Sequence, residues 1–198
     1  MKQPTRLMQP SQQTIQPVLE ALNSGHLDHA EALTKKLLKQ YPKAFVLHNL
    51  YGNALAGQNK FLEAVTSFRK ALELDPSVAE LHLNVAILLS NLNRVDESIA
   101  SYKKALNLKP SLTDAHYNLG AALQSQDKFD LASAHYKKAI ELEPGFFEAM
   151  VNLGVCLQEQ SQLQPAIDIY QRALTIQQDA KVYFNMGTAL KNEGKLED

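Results

Sequence analysis

One interval of 34 residues recurs along the chain and limits what it can fold into. Prolines, small residues and aromatic residues each return at this spacing, and an alanine follows each aromatic residue three positions later. A period of this length is typical of a repeated supersecondary unit, which buries its apolar face against its neighbours. The three series are Pro42, Pro76, Pro110 and Pro144; Gly52, Ala86, Gly120 and Gly154; and Phe68, Tyr102, Tyr136 and Tyr170.

Each unit is predicted to be a pair of antiparallel α-helices, helix A and helix B. Apolar residues recur at helical spacing in two blocks that are separated by a polar turn. Two helices approach closely only where side chains are small, and an aromatic ring then fills the adjoining space. The turn between the helices holds residue types that tolerate left-handed backbone geometry. They are Gly25, Asn59, Asn93, Asp127 and Gly194.

The helix ends carry signals of their own. Ser77 and Glu80 resemble a capping box that would open a helix A. Pro165 suits the first turn of a helix B, where its missing N–H is not required. Pro17 falls within the expected helix A of the first unit, so it should kink that helix or move its start.

These series resemble the tetratricopeptide repeat family over roughly residues 11–198. The resemblance implies an all-α fold, a right-handed superhelical solenoid of helix-turn-helix repeats whose A helices line the inner face. The first repeat is expected to be an irregular cap, and the last to be truncated after helix A. The segments are a tail at 1–10, five repeats at 11–44, 45–78, 79–112, 113–146 and 147–179, and a partial sixth at 180–198.

The resemblance also indicates which side chains of the A helices face the groove. A row of asparagine amides there can donate to and accept from an extended peptide backbone without contacting its side chains. A similar row occurs in the superhelical part of O-linked N-acetylglucosamine transferase, but asparagine at this slot is also common in repeats without such a ligand. The predicted peptide-binding residues are Asn49, Asn53, Asn84, Tyr117, Asn118, Asn152 and Asn185.

Charge and composition argue against several kinds of partner. The chain has 20 Lys and Arg residues against 21 Asp and Glu residues, so it lacks the positive charge expected of a protein that binds nucleic acid or an anionic membrane. No segment has the length of apolar sequence needed for a signal peptide or a bilayer span. A cytoplasmic location is therefore expected.

No pattern predicts catalysis, a metal or a cofactor. His48, His82 and His116 share one slot, but stacked repeats hold such positions about 8 to 10 Å apart. One zinc ion needs nitrogen ligands at about 2.0 to 2.1 Å. Cys156 has no candidate base beside it. The chain is expected to be a non-catalytic scaffold for a protein or peptide partner.

Two alternatives stay open at this point. The stretch from Leu19 to Leu55 resembles the N-terminal repeats of bacterial proteins that continue into a glycosyltransferase or sulfotransferase domain. Such a region would recruit protein substrates for a larger enzyme. The second alternative is a self-assembling scaffold, because an incomplete last repeat should expose apolar surface.

Overall fold

The computed structural model describes residues 9–194, and every regular element in that range is an α-helix. The prediction of an all-α fold is confirmed. The predicted tail at 1–10 lies almost entirely outside the described residues, as do the last four residues of the partial sixth repeat. The chain divides into two compact units, Met1–Leu108 and Lys109–Asp198.

The helices alternate between A helices, with odd numbers, and B helices, with even numbers. The first unit contains α1 (Gln12–Asn23), α2 (Leu27–Gln40), α3 (Phe45–Gly57), α4 (Phe61–Leu74), α5 (Ala79–Asn91) and α6 (Val95–Leu108). The second unit contains α7 (Thr113–Gln124), α8 (Phe129–Leu142), α9 (Phe147–Glu159), α10 (Leu163–Ile176) and α11 (Ala180–Asn192).

In the second, fourth and fifth repeats, helix B packs against helix A through an aromatic ring that lies over a glycine. A Cβ atom added to Gly120 would lie 2.8 Å from Cε1 of Tyr136, and one added to Gly154 would overlap the ring of Tyr170. Both rings are fully buried. Each ring therefore occupies the volume that a side chain on the facing helix would need, and the predicted packing of large on small residues is confirmed.

The turns between helices A and B have the predicted left-handed backbone. All five predicted residues have positive φ angles, for example 60° at Asn59 and 72° at Gly25. Ser161 has a φ of 59° in the corresponding turn between α9 and α10. Ser161 was not predicted, because serine is not among the residue types that favour this geometry. Its interval of 34 residues from Asp127 would have identified it.

The capping box predicted at the start of α5 is wrong. Val78 is the N-cap residue of α5 and makes no side-chain cap hydrogen bond. Ser77 donates its hydroxyl and its backbone N–H to Oδ1 of Asp75, at 2.6 and 3.0 Å. Because the hydroxyl group of Ser77 donates to Asp75, it does not cap the N-terminus of α5. Pro165 lies in the first turn of α10, as predicted.

Pro17 lies well inside α1, so the prediction that it moves the helix start is wrong. Ser11 is the N-cap residue, and its hydroxyl accepts the backbone N–H of Thr14 at 3.2 Å. The helix therefore begins ahead of the proline. The carbonyl of Gln13 cannot accept a hydrogen bond from residue 17, because proline has no N–H. Val18, the next residue, is fully buried in the core of the first unit.

Replacing Gly154 with alanine should lower the free energy of unfolding by about 1 to 3 kcal/mol, because the new Cβ would overpack the Tyr170 ring. The measurement is a urea titration followed by far-UV circular dichroism. Gly187 is the matched control: it lies in α11, and nothing is within 4 Å of an added Cβ. Gly187→Ala should be neutral or stabilise by up to about 1 kcal/mol. Equal destabilisation by both substitutions would contradict the packing argument.

Candidate peptide-binding site

Three of the predicted site residues lie in the first unit, on helices α3 and α5. Asn53 is exposed, and Asn49 and Asn84 are half-buried. Asn53 and Asn84 line one small pocket of about 180 Å³, whereas Asn49 does not line it. This cavity is called the α3–α5 pocket below. Its other lining residues are Ala56, Phe68, Ile87 and Leu88.

The α3–α5 pocket combines an apolar wall with two unengaged carboxamides. Within residues 9–194, the side chains of Asn53 and Asn84 make no hydrogen bond. Phe68 and Leu88 belong to the core cluster of the first unit, so this end of the pocket is continuous with rigidly packed side chains. A carboxamide offers both a donor and an acceptor. The pocket can therefore bind an apolar group that carries an amide beside it.

In the second unit, the predicted site residues contact other residues of the same unit. Tyr117 packs on Phe146, with ring centroids 4.8 Å apart. Nδ2 of Asn152 lies 3.4 Å from the hydroxyl oxygen of Tyr117. Nδ2 of Asn118 donates to the backbone carbonyl of Asp114 in the same helix, at 2.8 Å. The structure thus brings Tyr117 and Asn152 together, and it turns the amide of Asn118 back onto α7.

In the second unit, Asn152 and Asn185 each form a hydrogen bond with the hydroxyl group of a buried tyrosine. Tyr136 donates its hydroxyl to Oε1 of Gln124 at 2.8 Å. Burial raises the pKa of Tyr136, and a hydrogen bond with Asn152 lowers it in part. The residues in the corresponding places of the next repeat are Tyr170, Gln158 and Asn185, with 2.5 Å between Oη of Tyr170 and Oε1 of Gln158.

Phe68 and Ala56 were not among the predicted site residues, although one signal in the sequence could have identified them. Phe68 is the one member of the aromatic series that has no hydroxyl group, since the other three are tyrosines. Its neighbour in the pocket, Ala56, stands twelve positions earlier, where the later repeats have Ser90, Gln124 and Gln158. A comparison of polar groups between repeats would have singled out this position.

The histidine series connects each A helix to the loop that precedes it. In each case Nε2 of the histidine is within hydrogen-bond distance of a proline carbonyl oxygen six residues earlier. The proline and histidine series are therefore coupled by a structural hydrogen bond. Among residues 9–194 no group of three or more His, Cys, Asp or Glu residues could hold a metal ion. The pairs are His48 and Pro42 at 2.9 Å, His82 and Pro76 at 3.0 Å, and His116 and Pro110 at 3.1 Å.

Two other features bear on catalysis and membrane association. Cys156 is fully buried, and burial raises the pKa of its thiol to about 11. The thiol is therefore protonated near neutral pH, whereas a cysteine nucleophile reacts as the thiolate. None of the helices within the described range is long and apolar enough to span a bilayer.

Clefts also lie between neighbouring B helices, one of about 470 Å³ in the first unit and one of about 420 Å³ in the second. They occupy equivalent places, since the residues that line them correspond across the repeat interval. We attribute them to the stacking geometry of the repeat and not to a site built at one position. The corresponding residues are Leu38, Pro42 and Lys70 in the first unit, and Ile140, Pro144 and Arg172 in the second.

Three family models of this repeat match the chain. A model described as TPR repeat matches residues 52–93 and 88–127, and two models described as tetratricopeptide repeat match 113–146 and 135–168. Together they extend from residue 52 to residue 168, which is more than half of the chain. The chain belongs to the tetratricopeptide repeat family. No curated protein sequence matches it significantly.

Several solved structures share this fold at low sequence identity. MamA is 22% identical with a TM-score of 0.77, covering 90% of this chain and 97% of its own. YrrB, described as a TPR protein with an unusual peptide-binding site, is 22% identical with a TM-score of 0.78, covering 93% of this chain and 92% of its own. PilF of Pseudomonas aeruginosa is 20% identical with a TM-score of 0.76, covering 92% and 84%. At these identities the likeness establishes the fold.

Lowering the pH should destabilise the second unit through His116. Burial lowers the pKa of His116; the Pro110 carbonyl and Glu141 oppose this shift, and Lys138 adds to it. Its Nδ1 also lies 3.0 Å from Nδ1 of His135, where two protonated rings would repel each other. Because the folded-state pKa is depressed, the unfolded chain binds protons first as the pH falls. Stability is therefore lost below the unfolded-state pKa of about 6.5.

The measurement is the thermal unfolding midpoint between about pH 7.5 and pH 5.5, a window that brackets the unfolded-state pKa. The midpoint of the wild-type protein should fall across this window, and the fall should be smaller in His116→Gln. Glutamine keeps a side-chain donor for the Pro110 carbonyl but does not titrate. An identical fall in the variant would show that His116 is not responsible.

Proposed function

We propose that this chain is a protein-interaction scaffold that binds an extended segment of a partner on the A helices of its first unit. The observation that carries the proposal is the α3–α5 pocket, where Asn53 and Asn84 hold unengaged carboxamides beside an apolar wall. A peptide unit offers one N–H and one carbonyl, which a carboxamide can satisfy together. The apolar wall then takes a side chain of the same segment.

The other predicted residues have a different part in this proposal. Asn118, Asn152 and Asn185 first support the fold of the second unit, because a backbone carbonyl or a tyrosine hydroxyl engages each amide. Tyr117 is stacked on Phe146 and is therefore not a free anchor. A peptide bound to the second unit could contact only those donors and acceptors of the three asparagine amides that are not already hydrogen-bonded within the unit.

Two lines of support come from outside the pocket. YrrB, a protein of similar fold, is described as having an unusual peptide-binding site, so this fold is compatible with peptide binding. Burial and a raised pKa disfavour the thiolate form of Cys156 that a nucleophile needs. We therefore propose binding, and not catalysis, as the activity of these residues.

Replacing Asn84 with alanine should weaken peptide binding by about three- to tenfold, the effect of losing one intermolecular hydrogen bond. The ligand is a peptide selected from a random library on the wild-type protein, and its affinity is measured by isothermal titration calorimetry. Asn53→Ala should have a similar effect. The fold should be unaffected by either change, because neither amide has a partner within the described residues.

Asn152→Ala is the matched control in the second unit. It removes the amide near the hydroxyls of Tyr117 and Tyr136, so it should lower the free energy of unfolding and leave the affinity unchanged. Loss of affinity in Asn152→Ala combined with unchanged affinity in Asn84→Ala would move the site to the second unit and contradict the proposal.

Self-association is a second candidate, and one observation favours it. On α11, Phe184 is 74% exposed and Tyr183 is 48% exposed. Adjacent large apolar side chains at the surface promote association in water. Sedimentation velocity should show a concentration-dependent dimer in the wild-type protein that Phe184→Ser removes. A wild-type chain that stays monomeric at high concentration would eliminate this candidate.

A further inference from the structure

We infer that the α3–α5 pocket selects one uncharged, leucine-sized apolar side chain of the bound segment, and that it does so because the second repeat lacks a tyrosine–polar pair present in later repeats. This inference rests on the proposed function, since it names the class of side chain that the same site takes.

The pocket lies where a hydrogen bond of the later repeats is missing. In those repeats a helix B tyrosine hydroxyl meets a polar side chain twelve residues earlier on helix A. In the second repeat the two positions are Phe68 and Ala56, so neither partner of that bond is present. Both residues line the pocket. The corresponding pairs are Tyr102 with Ser90 at 3.4 Å, Tyr136 with Gln124 at 2.8 Å, and Tyr170 with Gln158 at 2.5 Å.

The same difference leaves the Asn84 amide available. In the second unit the tyrosine hydroxyl also meets the asparagine of the following helix A, as Tyr136 meets Asn152. Phe68 stands sixteen residues before Asn84, the same separation, but it has no hydroxyl. Phenylalanine in place of tyrosine at position 68 therefore removes a polar group from the pocket and leaves the amide of Asn84 without that partner.

The chemistry of the lining restricts the occupant. The six lining residues are all uncharged. A charged side chain would gain no counter-charge from this lining, whereas an apolar side chain would be removed from water. Ile87, Leu88 and Phe68 supply the apolar part of the lining, and a volume of about 180 Å³ accommodates a single side chain. The two amides then hold the backbone on either side of that residue.

The test is a random peptide library displayed on phage and selected on two proteins, the wild type and the double variant Ala56→Gln with Phe68→Tyr. These substitutions copy the Gln124 and Tyr136 pair, so the variant should restore the hydrogen bond and close the pocket. Wild-type peptides should be enriched in Leu, Ile, Val or Met at one fixed position. The double variant should bind such peptides about tenfold more weakly or worse, the loss expected for one buried aliphatic side chain.

Three outcomes separate the inference from the proposed function. Peptides that bind both proteins with the same aliphatic enrichment would overturn the inference and leave peptide binding intact. Failure of the wild type to select any peptide would overturn both. Aliphatic enrichment on the wild type, with peptides of other composition on the double variant, would support both.

A reciprocal variant makes the test independent of how well the first variant folds. Gln124→Ala with Tyr136→Phe recreates the pair of the second repeat in the second unit, opening a pocket and removing the Tyr136 hydroxyl from Asn152, which keeps its contact with Tyr117. Isothermal titration with an aliphatic peptide selected on the wild type should then show a second equivalent of binding. A stoichiometry that remains at one, in a variant that retains a cooperative thermal transition, would count against the inference.

Discussion

In the second, fourth and fifth repeats, the contact between a helix B ring and a helix A glycine determines how the rest of the repeat is arranged. Where Tyr136 lies over Gly120, the absence of a Cβ fixes the depth of the ring and so the position of its hydroxyl group. The hydroxyl then meets Gln124 on one side and Asn152 on the other. Phe68 over Gly52 keeps the same packing without the hydroxyl. A repeat can therefore lose its polar contact and retain its core.

This separation of packing from hydrogen bonding gives one asparagine slot different surroundings in different repeats. Asn152 satisfies a buried hydroxyl whose partners are all within the second unit, and leaving such a group unpaired would cost stability. Asn84 occupies the same slot beside a phenylalanine, and its side chain makes no such hydrogen bond within the described residues. The presence of asparagine alone does not distinguish support of the fold from contact with a partner.

The sequence was sufficient for those features that depend on one residue and its period. The left-handed turns at Asn59, Asn93 and Asp127 follow from backbone preference, and the ring over Gly154 follows from size. Features that depend on competition between side chains for hydrogen-bond partners could not be predicted from the sequence. Asp75 accepts hydrogen bonds from Ser77 in place of the predicted cap, and the amide of Asn118 donates to the Asp114 carbonyl of its own helix. Such outcomes depend on which groups meet in space.

The most direct test of the account is an isotope-filtered NMR experiment on the wild-type chain with a bound library-selected peptide. Nuclear Overhauser contacts should connect one apolar side chain of the peptide to the methyl groups of Ala56, Ile87 and Leu88, and connect its backbone amides to the carboxamide protons of Asn84. Contacts confined to the clefts between B helices, around Leu38 or Ile140, would place the binding site elsewhere and contradict the account.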